Sequence, residues 1–423
     1  MAGQRAAAAG PWPGRGHASG RSAMSAATAA PQATRVPEGA WRVAAVLAIT
    51  QVVHWGSMFY AFSILMPAIA AETGWPRGMV VGAFSAGLLV QAGVALGVGP
   101  MLDRLGPRTV MTAGSVLAGL GLWLAGRVES LWQLYAVWAG IGAVMAATLY
   151  EAAFTAVAAA FGRAAMRPGI ALVTFAGGLA STIFWPLAAW LVADLGWRTA
   201  CTVLALANLA CALPHAAALP GRAPPPRPGM AAGDLSLGTV CRQARFWGLA
   251  FVNGAIGFVS AVIGVHLVPL VGERGLGGAA PLLAGLLGVA QVAGRVIEFG
   301  GGKHWPLRTV GLVSLLALAP ASVLLAWGNG VAAMACAIAV YGLANGIMTI
   351  VRGALPAQLF GTGHYGAISS ALAAPGALAR AAGPVAAGWL WAWSGGYAMP
   401  VALLAVLSLL AALALAAAVP PRS

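Results

Sequence analysis

Three arginines stand where a charge is costly: Arg295, Arg352 and Arg380 each interrupt an apolar run long enough to cross a bilayer. A guanidinium stays charged at physiological pH and presents a planar fork of donors that matches a carboxylate. In hydrocarbon such a group must face a partner or a water-filled path. Arg380 is the sharpest case, set between Ala377-Leu378-Ala379 and Ala381-Ala382. It is an anion ligand, half of a structural or gating ion pair, or a residue nearer a span edge than the hydropathy suggests. Arg295 follows Gln291-Val292-Ala293-Gly294, and Glu298 lies three positions along the same helix, where the two can pair. That pair either sets the depth of the helix or competes with a substrate carboxylate as a charge switch.

Glu151 and Arg352 occupy matching places in the two halves of the chain. An ion pair between them would close a path on one side. Alternatively Glu151 carries a proton, because burial beside a separable cation brings a carboxylate toward titration near neutral pH. A third reading pairs each residue within its own half. His54 and His266 can accept a proton or hydrogen-bond a substrate, or they are satisfied packing histidines. Tyr60 and Asn345, followed by Phe62, Tyr150, Asn253 and Trp185, complete the candidate path lining.

Other chemistry has little support. The chain has no Gly-rich phosphate loop ending in Lys-Ser/Thr, no His-x-x-x-His pair and no nucleophile elbow. The reading is therefore not an enzyme, with no metal and no cofactor. Cys201, Cys211, Cys241 and Cys336 lack metal-ligand spacing and read as small hydrophobes.

The elements that must position the charged residues follow from composition. The 423 residues are 60% hydrophobic and only 8% charged, which excludes a water-soluble globular enzyme. The net charge of +14 comes almost wholly from arginines spread through short loops, so it reads as membrane topology rather than a nucleic-acid surface. Repeated apolar runs without period-2 alternation predict an all-α integral membrane protein. Twelve transmembrane helices are expected, at 41–71, 78–101, 107–126, 131–160, 168–193, 197–219, 244–271, 279–299, 307–327, 329–355, 364–392 and 396–419.

The Pro/Gly/Arg-rich stretch 220–243 is the longest link. It divides the chain into an N-terminal six-helix bundle at 41–219 and a C-terminal one at 244–419. Residues 1–40 read as a disordered tail and 420–423 as a short C-terminal tail. One set of loops holds Arg42, Arg104, Arg108, Arg163, Arg167, Arg242, Arg245 and Arg308 among others, against Arg77, Arg127, Arg198 and Arg274 in the other set. The positive-inside rule then places both termini in the cytoplasm, in a bacterial cytoplasmic membrane. The halves echo each other in Gly140/Gly142 against Gly342/Gly346 and in Gln91-x-Gly93 against Gln291 and Gly294. Two repeated bundles around a central path are a common transporter plan. Nothing requires an oligomer, and a monomer in the lipid bilayer is expected.

Gly99-Pro100-Met101-Leu102-Asp103-Arg104-Leu105-Gly106-Pro107-Arg108 resembles the signature loop G-x-L-x-D-R-x-G-R-R of the major facilitator superfamily. The resemblance implies that Asp103, Arg104 and Arg108 form a charge relay stabilising one conformation of the first bundle. The second copy of the loop keeps Gly294-Arg295 and Lys303, with Gly300-Gly301-Gly302 where an Asp-Arg pair would stand. Within the superfamily, Glu38-Gly39-Ala40-Trp41-Arg42, Phe59-Tyr60-Ala61-Phe62-Ser63 and Gly74-Trp75-Pro76-Arg77 resemble the monocarboxylate porter and oxalate:formate antiporter group. That likeness implies Arg295 as a ligand of the substrate carboxylate and Arg380 as the counterpart of a second cation in the eleventh span. Gln291 stands where animal members carry an acidic residue.

The expected function is secondary transport of a small organic anion, a mono- or dicarboxylate, by alternating access with H+ symport or exchange for a counter-anion. Two alternatives remain at this stage: proton-driven efflux of an amphipathic drug or metabolite, and a membrane receptor that transports nothing.

Overall fold

The computed structural model describes residues 36–221, 235–301 and 304–421. Most of the expected N-terminal tail, the middle of the expected linker, Lys303 and the C-terminal two residues lie outside the described residues. The described residues are helical throughout, without a strand. Ten stretches are long and apolar enough to cross a membrane. One of them, Ala165–Ala218, reverses at Gly196, whose φ of 76° suits glycine, and so contributes two spans. Tyr365–Ser394, whose Gly, Ser and Arg380 lower its hydropathy, completes the twelve.

Numbered along the chain, the spans are 1 (Ala40–Thr73), 2 (Arg77–Leu105), 3 (Pro107–Ala125), 4 (Leu131–Arg163), 5 (165–195) and 6 (197–218). The second set is 7 (Ala244–Glu273), 8 (Ala280–Gly300), 9 (Leu307–Trp327), 10 (Gly330–Phe360), 11 (Tyr365–Ser394) and 12 (Ala398–Ala418). These form an all-α, multi-spanning membrane fold of two interacting helix bundles, spans 1–6 and spans 7–12. Large apolar side chains such as Ile49, Leu213, Leu282 and Leu413 point outward, as lipid-facing surface requires.

Close packing within each bundle uses small residues. Span 4 lies on span 2 where Gly142 meets the Gly87 carbonyl, and span 10 lies on span 8 where Gly346 meets the Gln291 carbonyl; a Cβ at either glycine would overlap that oxygen. The internal echo is therefore a packing device in part: Gly142, Gly294 and Gly346 sit at such contacts, whereas Gly93 and Gly140 face open space.

Two irregularities interrupt the helices of the first bundle. Span 1 relaxes into a π-helix over Trp55–Tyr60, closed by an Ala61 N–H donating to the Gly56 carbonyl at 2.8 Å. Such π-turns are frequent at functional sites because they turn side chains away from the helix's ordinary face. Span 4 kinks at Leu149, which is extended, and the Thr148 carbonyl there accepts the Gln51 Nε2–H at 2.6 Å. Tyr150 and Glu151 follow directly after the kink.

Candidate functional site between the bundles

The polar contacts between the bundles gather at one end, the end of the basic loops. Asp103, at the foot of span 2, accepts the backbone N–H groups of Gly366 and Ala367 at 2.8 Å each, so its carboxylate caps the first turn of span 11. Arg163 donates to the Gln358 carbonyl at 2.5 Å. Arg167 Nε meets Glu298 Oε1 at 2.5 Å, and its Nη1 donates to the Trp305 carbonyl at 2.6 Å.

At the opposite end the side-chain pairings among the described residues stay within a bundle. Glu72, closing span 1, accepts from the Trp197 indole and from Arg198, while Glu273, closing span 7, accepts from the Trp391 indole and the Tyr397 N–H. The bundles are thus latched at the basic end. Trp197 is buried, and its indole N–H is held by Glu72.

Several sequence expectations are corrected here. Glu298 does not pair with Arg295 along its own helix; it pairs across the bundles with Arg167, a residue the sequence reading counted only as loop charge. The ion pairs within 4.0 Å among the described residues are Arg167–Glu298 and Arg198–Glu72, so closure of the basic end does not use Glu151–Arg352. Asp103 caps the opposite bundle rather than pairing with Arg104, which is exposed, and Arg108 donates to the Leu219 carbonyl at 2.8 Å. Removing the Arg167 side chain leaves Glu298 buried and uncompensated, at a cost of about 3–5 kcal/mol. We therefore expect Arg167→Ala to lower the denaturation midpoint in detergent, and Glu298→Gln to restore most of the loss. A midpoint unmoved by Arg167→Ala would show that the pair contributes nothing.

Arg295 is 6% exposed and reaches across the interface, where its Nη1 donates to the Thr174 carbonyl of span 5 at 2.8 Å. Among the described residues its Nε has no hydrogen-bond partner and no carboxylate lies within ion-pair distance. The guanidinium occupies the space left by the missing side chain of Gly178, since a Cβ there would overlap Nη1. Arg295 is within electrostatic reach of Tyr60 and Tyr150.

A second group forms at mid-molecule. Arg380 is exposed although it lies halfway along span 11, and its electrostatic neighbours are Arg352 and Glu151. Two cations and one carboxylate give this group an excess of positive charge.

A run of aromatic ring contacts links span 1, span 4 and span 5 of the first bundle. Tyr150 meets Trp55 at 4.9 Å between centroids, Trp55 meets Phe59 at 5.3 Å, Phe59 meets Tyr60 at 5.3 Å and Tyr60 meets Trp185 at 5.8 Å. The Trp55 indole N–H is buried without a partner. Asn345 accepts from Ser260 at 3.0 Å on the second bundle. Phe62 lies apart, stacked on Phe84 at 4.6 Å in the first bundle's core, and Asn253 is buried with Nδ2 on the Leu249 carbonyl.

The two histidines do not join this run of rings. His54 is fully buried among spans 1, 3 and 6, with Nδ1 at 2.8 Å from Asn208 and Nε2 at 3.3 Å from Ser115, which also bonds His215 at 3.0 Å. The network is invisible in sequence because its members are scattered from Thr50 to His215. His266 Nε2 donates to the Pro384 carbonyl and Nδ1 accepts from the Tyr397 hydroxyl, both at 3.0 Å. Burial and the neighbouring Glu273 push the Tyr397 phenol up, so it stays a donor. Both rings are satisfied packing histidines. We expect His54→Leu to destabilise the folded protein by about 2–4 kcal/mol, because Asn208 and Ser115 lose a partner, with the substrate half-saturation concentration within twofold of wild type. A change in half-saturation without loss of stability would return His54 to the transport path.

Two bundles, a latch at one end and a buried cation where they meet are the plan of a membrane carrier that moves a solute between its halves. The Major Facilitator Superfamily family model matches residues 47–304, more than half of the chain, and the chain belongs to that superfamily. It is therefore a multi-pass integral membrane transporter of a small solute.

The human monocarboxylate transporter 11 is 28% identical over 367 residues, covering 77% of this chain and 72% of its own. The crystal structure of the human organic anion transporter MFSD10 matches with a TM-score of 0.72 at 20% identity, covering 90% of this chain and all of its own. The E. coli fucose:proton symporter FucP, in the outward conformation, matches with a TM-score of 0.74 at 12% identity, covering 89% of this chain and 99% of its own. At these identities the solved structures show the shared fold alone.

Proposed function

We propose that the chain carries organic carboxylates by alternating access, with Arg295 as the principal anion ligand and Arg380 as a second cation on the path. One observation carries the reading: a buried guanidinium with an unpartnered Nε and, among the described residues, no carboxylate within 4.0 Å, placed where the two bundles meet. An unpaired buried charge is costly, and a site that keeps one is suited to a ligand of opposite sign. The likeness to a monocarboxylate transporter and to the fold of an organic anion transporter supports the same reading.

The latched basic end is read as cytoplasmic on the positive-inside rule, which makes this conformation outward-facing. The anion then enters from outside, binds against Arg295, and relaxes the cross-bundle contact to Thr174 as the halves rock. Glu151 is the proton-coupling candidate, because it is the one carboxylate among the electrostatic neighbours of Arg380. Symport with H+ and exchange for a counter-anion both offset the substrate charge.

The experiment is uptake of labelled mono- and dicarboxylates into proteoliposomes, driven either by an inward pH gradient or by preloaded anion. Saturable uptake is expected under at least one drive, and the effective drive identifies the coupling. Movement of neutral amphiphiles with no carboxylate uptake would overturn the proposal in favour of efflux.

A further inference from the structure

The geometry points to an aromatic monocarboxylate as the substrate class, with its carboxylate on Arg295 and its ring against a wall formed by Tyr60 and Trp185. This rests on the anion reading above and narrows it.

Three placements support it. Trp185 follows Gly178 by seven residues on span 5, two helical turns, so it shares the face on which Gly178 receives the Arg295 guanidinium. It stands about 10 Å further toward the open end on that face. Trp185 is 47% exposed there and still touches the Tyr60 ring, so it looks into the cleft where the outer halves of the bundles part.

The π-turn of span 1 supplies the rest of the wall. It carries Trp55, Phe59 and Tyr60 in consecutive ring contact, beginning beside Tyr150 near the anion ligand and ending at Trp185. The buried, unpartnered Trp55 N–H adds a donor beside this surface. A carboxylate of two or three carbons held by Arg295 would leave the outer rings uncovered. A phenyl ring joined to its carboxylate by a short alkyl chain spans the separation, and offset or edge-on ring contacts favour it over an alkyl chain of similar area.

The test is competition against uptake of one labelled carboxylate in proteoliposomes, using propionate, 3-phenylpropionate and the neutral amide 3-phenylpropanamide. We expect 3-phenylpropionate to inhibit at a concentration at least ~30-fold below propionate, with the amide without effect. In Trp185→Ala the ratio of the propionate to the 3-phenylpropionate inhibition constants should fall about tenfold, the loss of one or two ring contacts. Trp185→Phe should keep most of the ratio, which separates ring recognition from a folding defect.

Equal inhibition by the two acids, or a ratio unmoved in Trp185→Ala, would overturn the aromatic assignment while leaving carboxylate transport standing. Inhibition by the amide as strong as by the acid would show a ring site without anion recognition and overturn it as well. Absence of any carboxylate effect would remove the underlying anion reading, and this inference with it.

Discussion

Replacing Arg295 by alanine is expected to reduce carboxylate uptake at least ~100-fold while the protein still folds. A bidentate guanidinium–carboxylate contact consists of two charge-assisted hydrogen bonds, and losing both costs about 3–5 kcal/mol. Each 1.4 kcal/mol is a factor of about ten in affinity. Folding should survive because the native guanidinium is itself buried with Nε unpartnered, so the variant removes a costly charge along with its bond to the Thr174 carbonyl. Arg295→Lys keeps the charge but loses the fork, and an intermediate rate is expected. Initial uptake rates per reconstituted protein, paired with denaturation midpoints in detergent, check both parts. Uptake by Arg295→Ala within threefold of wild type would show that the guanidinium is structural.

The second large effect is expected at the latch. Asp103 holds the first turn of span 11 through two backbone N–H groups, bonds that parting of the bundles at the basic end must break. Charge-assisted bonds of this kind contribute about 1.5–3 kcal/mol each. Asp103→Ala should therefore shift the balance between the latched and opened states by about 3 kcal/mol, roughly a hundredfold in population. A reporter is available at Ser369, which is buried just beyond the capped turn. In a background with Cys241 and Cys336 replaced by serine, Ser369→Cys should react with a hydrophilic maleimide about a hundred times faster when Asp103 is alanine. Unchanged labelling would mean that Arg163, Arg167 and the packed glycines hold the end closed without Asp103.

The twelve spans and the two-bundle plan were legible because hydropathy and loop charge are local properties of the chain. The cost of charge in lipid likewise marked Arg295, Arg352 and Arg380 individually. Their partners were not legible. Glu298 lies at helical spacing from Arg295, yet the partner it takes, Arg167, is 131 positions away and on the other bundle. A one-dimensional rule of helix neighbours cannot weigh a tertiary contact that forms only when two bundles close.

His54 shows the opposite failure. A histidine in an apolar run suggested a path, but Asn208, Ser115 and His215 converge on it inside one bundle. The π-turn at Trp55–Tyr60 also escaped a reading based on 3.6-residue periodicity, although its cluster of aromatic residues had drawn attention to Tyr60. Asp103 was found by its loop motif, whereas its role as a cap across the interface required the structure.

Counterflow tests the carrier reading most directly. Proteoliposomes preloaded with millimolar unlabelled carboxylate are diluted into a trace of the same compound in labelled form, without a pH gradient or membrane potential. Alternating access around an anion site predicts a transient accumulation of label above equilibrium in the wild-type protein, absent with Arg295→Ala. Label that enters no faster than into protein-free liposomes, for small and aromatic carboxylates alike, would contradict carboxylate transport by this chain.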